Sequence, residues 1–185
     1  MTEPKQALLV IDVQNDFCPG GTLAVPHGDE VVAPLNRLID DFLERGAPVY
    51  KSRDWHPPVT KHFAAYGGTW PVHCVRDTEG AKFHPALRDD PRITVISKGV
   101  DDDKEGFSAF DDTDLAGRLH RQNVEEIVIG GLATDYCVKS TVLDALKHGF
   151  KVKAIENAMR PVDLQPGDGD RAIDEMRDAG AEIVT

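Results

Sequence analysis

Short, almost wholly apolar runs alternate along this chain with longer stretches of helical period, and that alternation restricts the fold more than any other feature. Ala7 to Val13 reads as a strand buried on both faces. Asp29 to Arg45 follows, with Val31, Val32, Leu35, Leu38, Ile39, Phe42 and Leu43 at helical spacing and Gly46 placed to stop it. Further strands are expected at Pro48 to Ser52, Ile93 to Ser97, Glu126 to Ile129, Lys151 to Ile155 and Glu182 to Val184. Helices are expected at Asp114 to Gln122, Thr134 to His148 and roughly Gly169 to Ala179. Strands separated by helices join in parallel. The fold class is therefore α/β: a three-layer α/β/α domain around a mostly parallel sheet of roughly six strands, Rossmann-like in plan. The region from Trp55 to Asp90, rich in Gly, Pro and His, has little periodicity, and such a stretch inside a compact domain is usually functional.

A chain of 185 residues with no linker or repeat suits a single domain spanning residues 1–185. Its net charge of −11 disfavours nucleic acid and anionic membrane surfaces as partners. Cys18, Cys74 and Cys137 are too few, and odd in number, for a disulfide framework. The apolar opening lacks a basic flank and runs into Asp12, unlike a signal peptide, so a reducing cytoplasm is the expected location. Homo-oligomerisation is compatible with such a fold.

Ligands of open parallel sheets bind beyond the carboxyl ends of the strands. There this sequence places Asp12, Gln14 and Asp16 after the first strand, Asp54 and His56 after the second and Lys98 after the third. After the fourth come an apparent Gly130-Gly131 turn and a helix opening that contains Cys137. A thiol there is either a small apolar core residue or a nucleophile whose thiolate is favoured by the helix dipole. Asp12 could be a cap and Lys98 a solvated strand-end lysine. Together with Cys137, however, they supply base, cation and thiol, the parts of an activated nucleophile. Asp16 reads better as a turn former. Asp54-x-His56, with His62 and His73 in the irregular segment, provides carboxylate and imidazole ligands suited to zinc, iron or manganese. His27, His84, His120 and His148 read as ordinary surface or helix-end residues.

With these residues in place, the chain resembles the nicotinamidase/pyrazinamidase branch of the isochorismatase-like cysteine hydrolases. The likeness runs through Ile11-Asp12-Val13-Gln14-Asn15-Asp16-Phe17, Gly20 to Val25, Arg53-Asp54-Trp55-His56-Pro57 and Trp70-Pro71-Val72-His73-Cys74-Val75. It continues in Lys98-Gly99, Gly106-Phe107-Ser108-Ala109-Phe110 and Gly131-Leu132-Ala133-Thr134-Asp135-Tyr136-Cys137-Val138. The resemblance implies a catalytic triad of Asp12, Lys98 and Cys137. It also implies one divalent transition metal, zinc first with iron or manganese as alternatives, on Asp54, His56 and His73, with His62 a ligand in only some members. It further implies a cis peptide at Leu132–Ala133, an oxyanion hole made by the backbone N–H groups of Ala133 and Cys137, and a ring pocket of Phe17, Leu23, Trp70, Phe107, Leu132 and Tyr136. Phe107 stands where many members carry tyrosine. The implied reaction is hydrolysis of nicotinamide, with pyrazinamide as a further substrate, in NAD salvage. Branches acting on other small amides, such as carbamoyl compounds, generally lack the metal set. Isochorismatase chemistry does not use the cysteine, and a silent binding module on this fold would normally have lost part of the triad.

Overall fold

The computed structural model describes residues 4–185. Six strands form one sheet: β1 (Gln6–Ile11), β2 (Val49–Asp54), β3 (Thr94–Lys98), β4 (Glu126–Leu132), β5 (Lys151–Arg160) and β6 (Glu182–Val184). Their order is β3-β2-β1-β4-β5-β6 and every pairing is parallel. The helices are α1 (Val32–Glu44), α2 (Leu115–Arg121), α3 (Lys139–Lys147) and α4 (Asp168–Asp178). The strand order reverses between β1 and β4, which opens a crevice at their carboxyl ends.

Alternation along β1 divides the core. Ala7, Leu9 and Ile11 face a cluster with Leu115 and Leu119 of α2, Val142 and Ala145 of α3 and Met176 of α4. Leu8 and Val10 face Leu35, Ile39 and Phe42 of α1. Both faces are buried, which explains the unbroken apolar run. On the α1 side the layer is completed by the irregular segment after β2, through Trp55, Cys74, Ala81, Phe83 and Leu87. That segment is thus part of the core covering and carries site residues at the same time.

Four local expectations are corrected. The first strand stops at Ile11, because Asp12 takes a left-handed φ of 47° and the N–H of Gln14 turns back onto the Asp12 carbonyl. Gly130 and Gly131 are not a turn but the paired end of β4, opposite Val10 and Ile11. A Cβ at Gly131 would lie 2.1 Å from the Ile11 carbonyl oxygen, so glycine here permits close strand approach. The helices foreseen at Asp29 and Thr134 begin with other turns: a 3₁₀ turn over Gly28–Val31 and a π turn over Thr134–Val138, in which Val138 N–H reaches the Ala133 carbonyl. Finally, β5 runs to Arg160, with a bulge where its register with β4 shifts between Ile129 and Gly131. Among the described residues, no helix is long and apolar enough to cross a membrane.

Candidate active site

The carboxyl ends of β1, β2 and β3 bring three charged groups together beneath the π turn. Lys98, the last residue of β3, points its ammonium between two carboxylates, 2.7 Å from Asp12 Oδ2 and 2.5 Å from Asp54 Oδ1. It also donates to the Gly106 carbonyl at 2.6 Å and approaches Cys137 Sγ at 3.5 Å. All four side chains are buried. Removing three charges from water is costly, and this cluster offsets the cost with short, charge-assisted contacts. Ser52 donates to Asp12 Oδ1 at 2.7 Å. Asp12 Oδ2 forms its ion pair without the alignment of a hydrogen bond, which leaves this oxygen able to receive a proton.

Burial pushes the Cys137 thiol well above its ordinary range; Lys98 opposes this, but Asp12 and Asp54 reinforce it. Burial also raises the Asp12 carboxyl, only partly countered by Lys98. Burial would discharge Lys98, yet Asp12 and Asp54 hold its ammonium well above the usual lysine range. Cys137 therefore rests as a thiol beside a fixed cation. The expected helix-start thiolate is not the resting form. Desolvation outweighs the dipole here, and the thiol needs a base to become a nucleophile.

Asp54 is clamped at both ends of its peptide unit by Gln14, which accepts its N–H and donates to its carbonyl, each at 2.8 Å. Its second oxygen, Oδ2, faces away from Lys98, 3.5 Å from His56 Nε2 and 3.8 Å from His73 Nε2. Burial alone would raise this carboxyl, but Lys98 and the two histidines pull it well below the usual range. Ligand atoms of His56, His62 and His73 lie within 4.8 Å of one another. In all three rings Nδ1 is engaged: His56 with the Gly99 carbonyl at 3.0 Å, His62 with Glu105 at 2.5 Å and His73 with the Pro71 carbonyl at 2.7 Å. Each Nε2 is thereby left to present a lone pair. The His56 Nε2, fully buried, has no hydrogen-bond partner. Burial and the neighbouring His56 lower the His62 pKa, despite Glu105, which favours the neutral ligand form. Three imidazoles with engaged Nδ1 atoms, a carboxylate and an orphaned buried nitrogen fit a divalent cation that Asp54, His56, His62 and His73 could hold.

Above these groups lies a cleft with about 380 Å³ of empty space, lined by Phe17, Leu23, Trp70, Phe107, Leu132, Ala133, Tyr136 and Val162 and floored by Asp54, His62, His73 and Cys137. Trp70 meets Tyr136 edge-on at 4.9 Å, and Phe107 lies 6.1 Å from the same ring. Every ring-pocket residue expected from the sequence lines this cleft, while Asp12, Lys98 and His56 sit behind it. The peptide between Leu132 and Ala133 is cis. Asp16 lies in the 3₁₀ turn Asn15–Phe17, and its carboxylate ties that turn to the irregular segment by accepting the Cys74 N–H at 2.7 Å.

Three contributors were not foreseen. Val162 follows the unexpectedly long β5, and its N–H is held by Asp135 at 2.9 Å. Ser52 looked like an ordinary strand residue, although its place opposite the end of β1 was a usable signal. Glu105 follows the acidic run Asp101-Asp102-Asp103, and nothing in its spacing marks it.

The Isochorismatase domain family matches residues 6–185. The nicotinamidase of Escherichia coli (strain K12) is 43% identical, over 98% of this chain and 95% of its own length. The nicotinamidase/pyrazinamidase of Mycobacterium tuberculosis is 38% identical, over 97% and 98%. Among solved structures, the pyrazinamidase of Pyrococcus horikoshii in complex with zinc superposes with a TM-score of 0.94 at 44% identity, covering 98% of this chain and 99% of that one. The matched span includes the strand ends that carry Asp12, Asp54, Lys98 and Cys137, and the chain belongs to the isochorismatase family.

Proposed function

We propose that this protein is a nicotinamidase, a cysteine amidohydrolase that converts nicotinamide to nicotinate and ammonia and also accepts pyrazinamide, in cytoplasmic NAD salvage. The observation that carries the reading is the buried Asp12–Lys98–Cys137 cluster opening directly onto an aromatic cleft floored by His62, His73 and Asp54. Residues 1–185 act as one hydrolase domain in this account.

Asp54, His56, His62 and His73 would hold a divalent metal ion, zinc first with iron or manganese as alternatives, which when bound supplies a Lewis-acidic contact for the pyridine nitrogen. Phe17, Leu23, Trp70, Phe107, Leu132, Tyr136 and Val162 enclose the ring and exclude water from the amide. Asp12 takes the Cys137 proton as Sγ attacks the amide carbon. The N–H groups of Ala133 and Cys137 donate to the oxyanion that develops. Collapse expels ammonia, which receives its proton from Asp12, and leaves a thioester on Cys137. Asp12 then deprotonates a water that attacks the thioester, and the thiol leaves reprotonated as nicotinate forms. Lys98 stays in contact with Asp12 at 2.7 Å and stabilises its carboxylate whenever the proton has been passed on.

Ammonia release from nicotinamide, pyrazinamide and a carbamoyl compound tests this directly. The unaltered protein is expected to favour nicotinamide and pyrazinamide, and Cys137→Ala to lose turnover. Retained turnover in Cys137→Ala, or a preference for the carbamoyl compound, would refute it.

A further inference from the structure

The loop that joins β3 to the phenylalanine of the cleft, residues 99–106, grips the site at several points. Its first carbonyl, on Gly99, engages His56 Nδ1, and its last, on Gly106, accepts the Lys98 ammonium. Both glycines have left-handed φ values, 62° and 65°, and they touch: a Cβ on Gly106 would stand 2.5 Å from Gly99 N. The loop is closed at its neck, and Glu105 lies at that neck. Within the loop the Asp102 carbonyl accepts from Thr60 Oγ1 at 3.0 Å and from Lys61 N–H at 2.9 Å, so the chain just before His62 is bonded to it twice.

Glu105 Oε2 meets His62 Nδ1 at 2.5 Å. An exposed acid beside a histidine is ordinarily a surface pair of little consequence. Here the acid is 58% exposed but the imidazole side chain is only 3% exposed, so one end of the contact is inside the protein. Of the three clustered histidines, His56 and His73 are oriented by backbone carbonyls, and His62 alone by a carboxylate. A carboxylate partner both fixes the tautomer and strengthens the opposite nitrogen as a donor.

Resting on the metal-dependent reading above, we infer that Glu105 is a positioning residue that makes His62 a metal ligand. Its carboxylate holds Nδ1–H so that Nε2 faces the other ligands. The acidic loop thus has a role in metal affinity and not solvation alone.

Zinc affinity, measured by chelator competition on the full chain, tests this without any turnover. Glu105→Ala is expected to weaken zinc binding about 10–100-fold. Glu105→Gln, which keeps an oxygen acceptor, should recover part of the loss. In a His62→Ala background Glu105→Ala should change nothing further, because the effect runs through that ring. Thermal melting of both single variants in chelator should match the unaltered protein, since the acid is largely exposed. Zinc affinity within twofold of the unaltered protein in Glu105→Ala would overturn the inference, as would an equal loss in the His62→Ala background. Failure of the unaltered protein to bind zinc would overturn both the inference and the metal site. Normal zinc binding without nicotinamide turnover would overturn the proposed activity only.

Discussion

At the scale of single residues, burial decides the protonation of the cysteines, and the three differ in what they face. Cys137 faces a carboxylate and an ammonium, whereas Cys18 is packed in the apolar cluster with Phe17 and Val25. Burial, with a smaller push from Asp29, raises the Cys18 thiol to about 11. An unfolded cysteine titrates near ~8.5. Between those values the unfolded chain has lost the proton and the folded chain keeps it, so the unfolded state binds fewer protons and stability falls as pH rises. Below the unfolded value both states are protonated and the group contributes no slope. Urea midpoints measured across that alkaline window should decline, and Cys18→Ala should decline less steeply. Equal slopes would contradict the burial argument. The meeting of Asp12, Lys98 and Cys137 at one sheet edge was legible because the first two stand at strand ends and the third in the turn that follows β4. Glu105 was not, because an acid in an acidic loop looks the same whether it faces water or a histidine.

Among the elements, β4 carries the tightest constraint. Its last pairs bring Gly130 and Gly131 against Val10 and Ile11, and a side chain at Gly131 would meet backbone on β1 at 2.1 Å. Gly131 also has φ 132°, outside the range that an L-residue adopts easily. Gly131→Ala should therefore cost more than the roughly 1 kcal/mol of a strained φ alone. Gly149, at φ 87° with nothing within 4 Å of an added Cβ, provides the comparison. Gly149→Ala should show only the backbone term, and urea unfolding of the two variants should rank them in that order. Sequence pattern located all six strands and the helical stretches between them but misjudged several ends. Paired glycines resemble a turn until a neighbouring strand is seen to need the space. The polar residues Glu156 and Asn157 interrupt the apolar run of β5 although the strand continues through its bulge to Arg160. That extension concealed Val162 as a wall of the cleft.

For the whole molecule, the reversal of strand order and the irregular segment after β2 work together. The reversal opens the crevice at β1 and β4, and the segment from Trp55 to Asp90 brings His62, Trp70 and His73 over it while covering the α1 face of the core. A ligand held by residues of β2 and of this segment would tie one layer of the molecule to the sheet. Zinc at a hundred times its dissociation constant should stabilise the folded state by about 2.7 kcal/mol. For a chain of this size that corresponds to a rise in melting temperature of roughly 5–10 °C, reversed by chelator. A scan in which added zinc leaves the melting temperature unchanged would argue against a folded-state metal site. The two oxygens of Asp54 carry a separate implication. One holds Lys98 and the other faces His56 and His73, so in the proposed enzyme metal loading and the charge on the triad would act on one another reciprocally. Engineers who exchange the metal in this scaffold would retune its acid–base chemistry in the same step, and a pH profile recorded with one ion would not transfer to another.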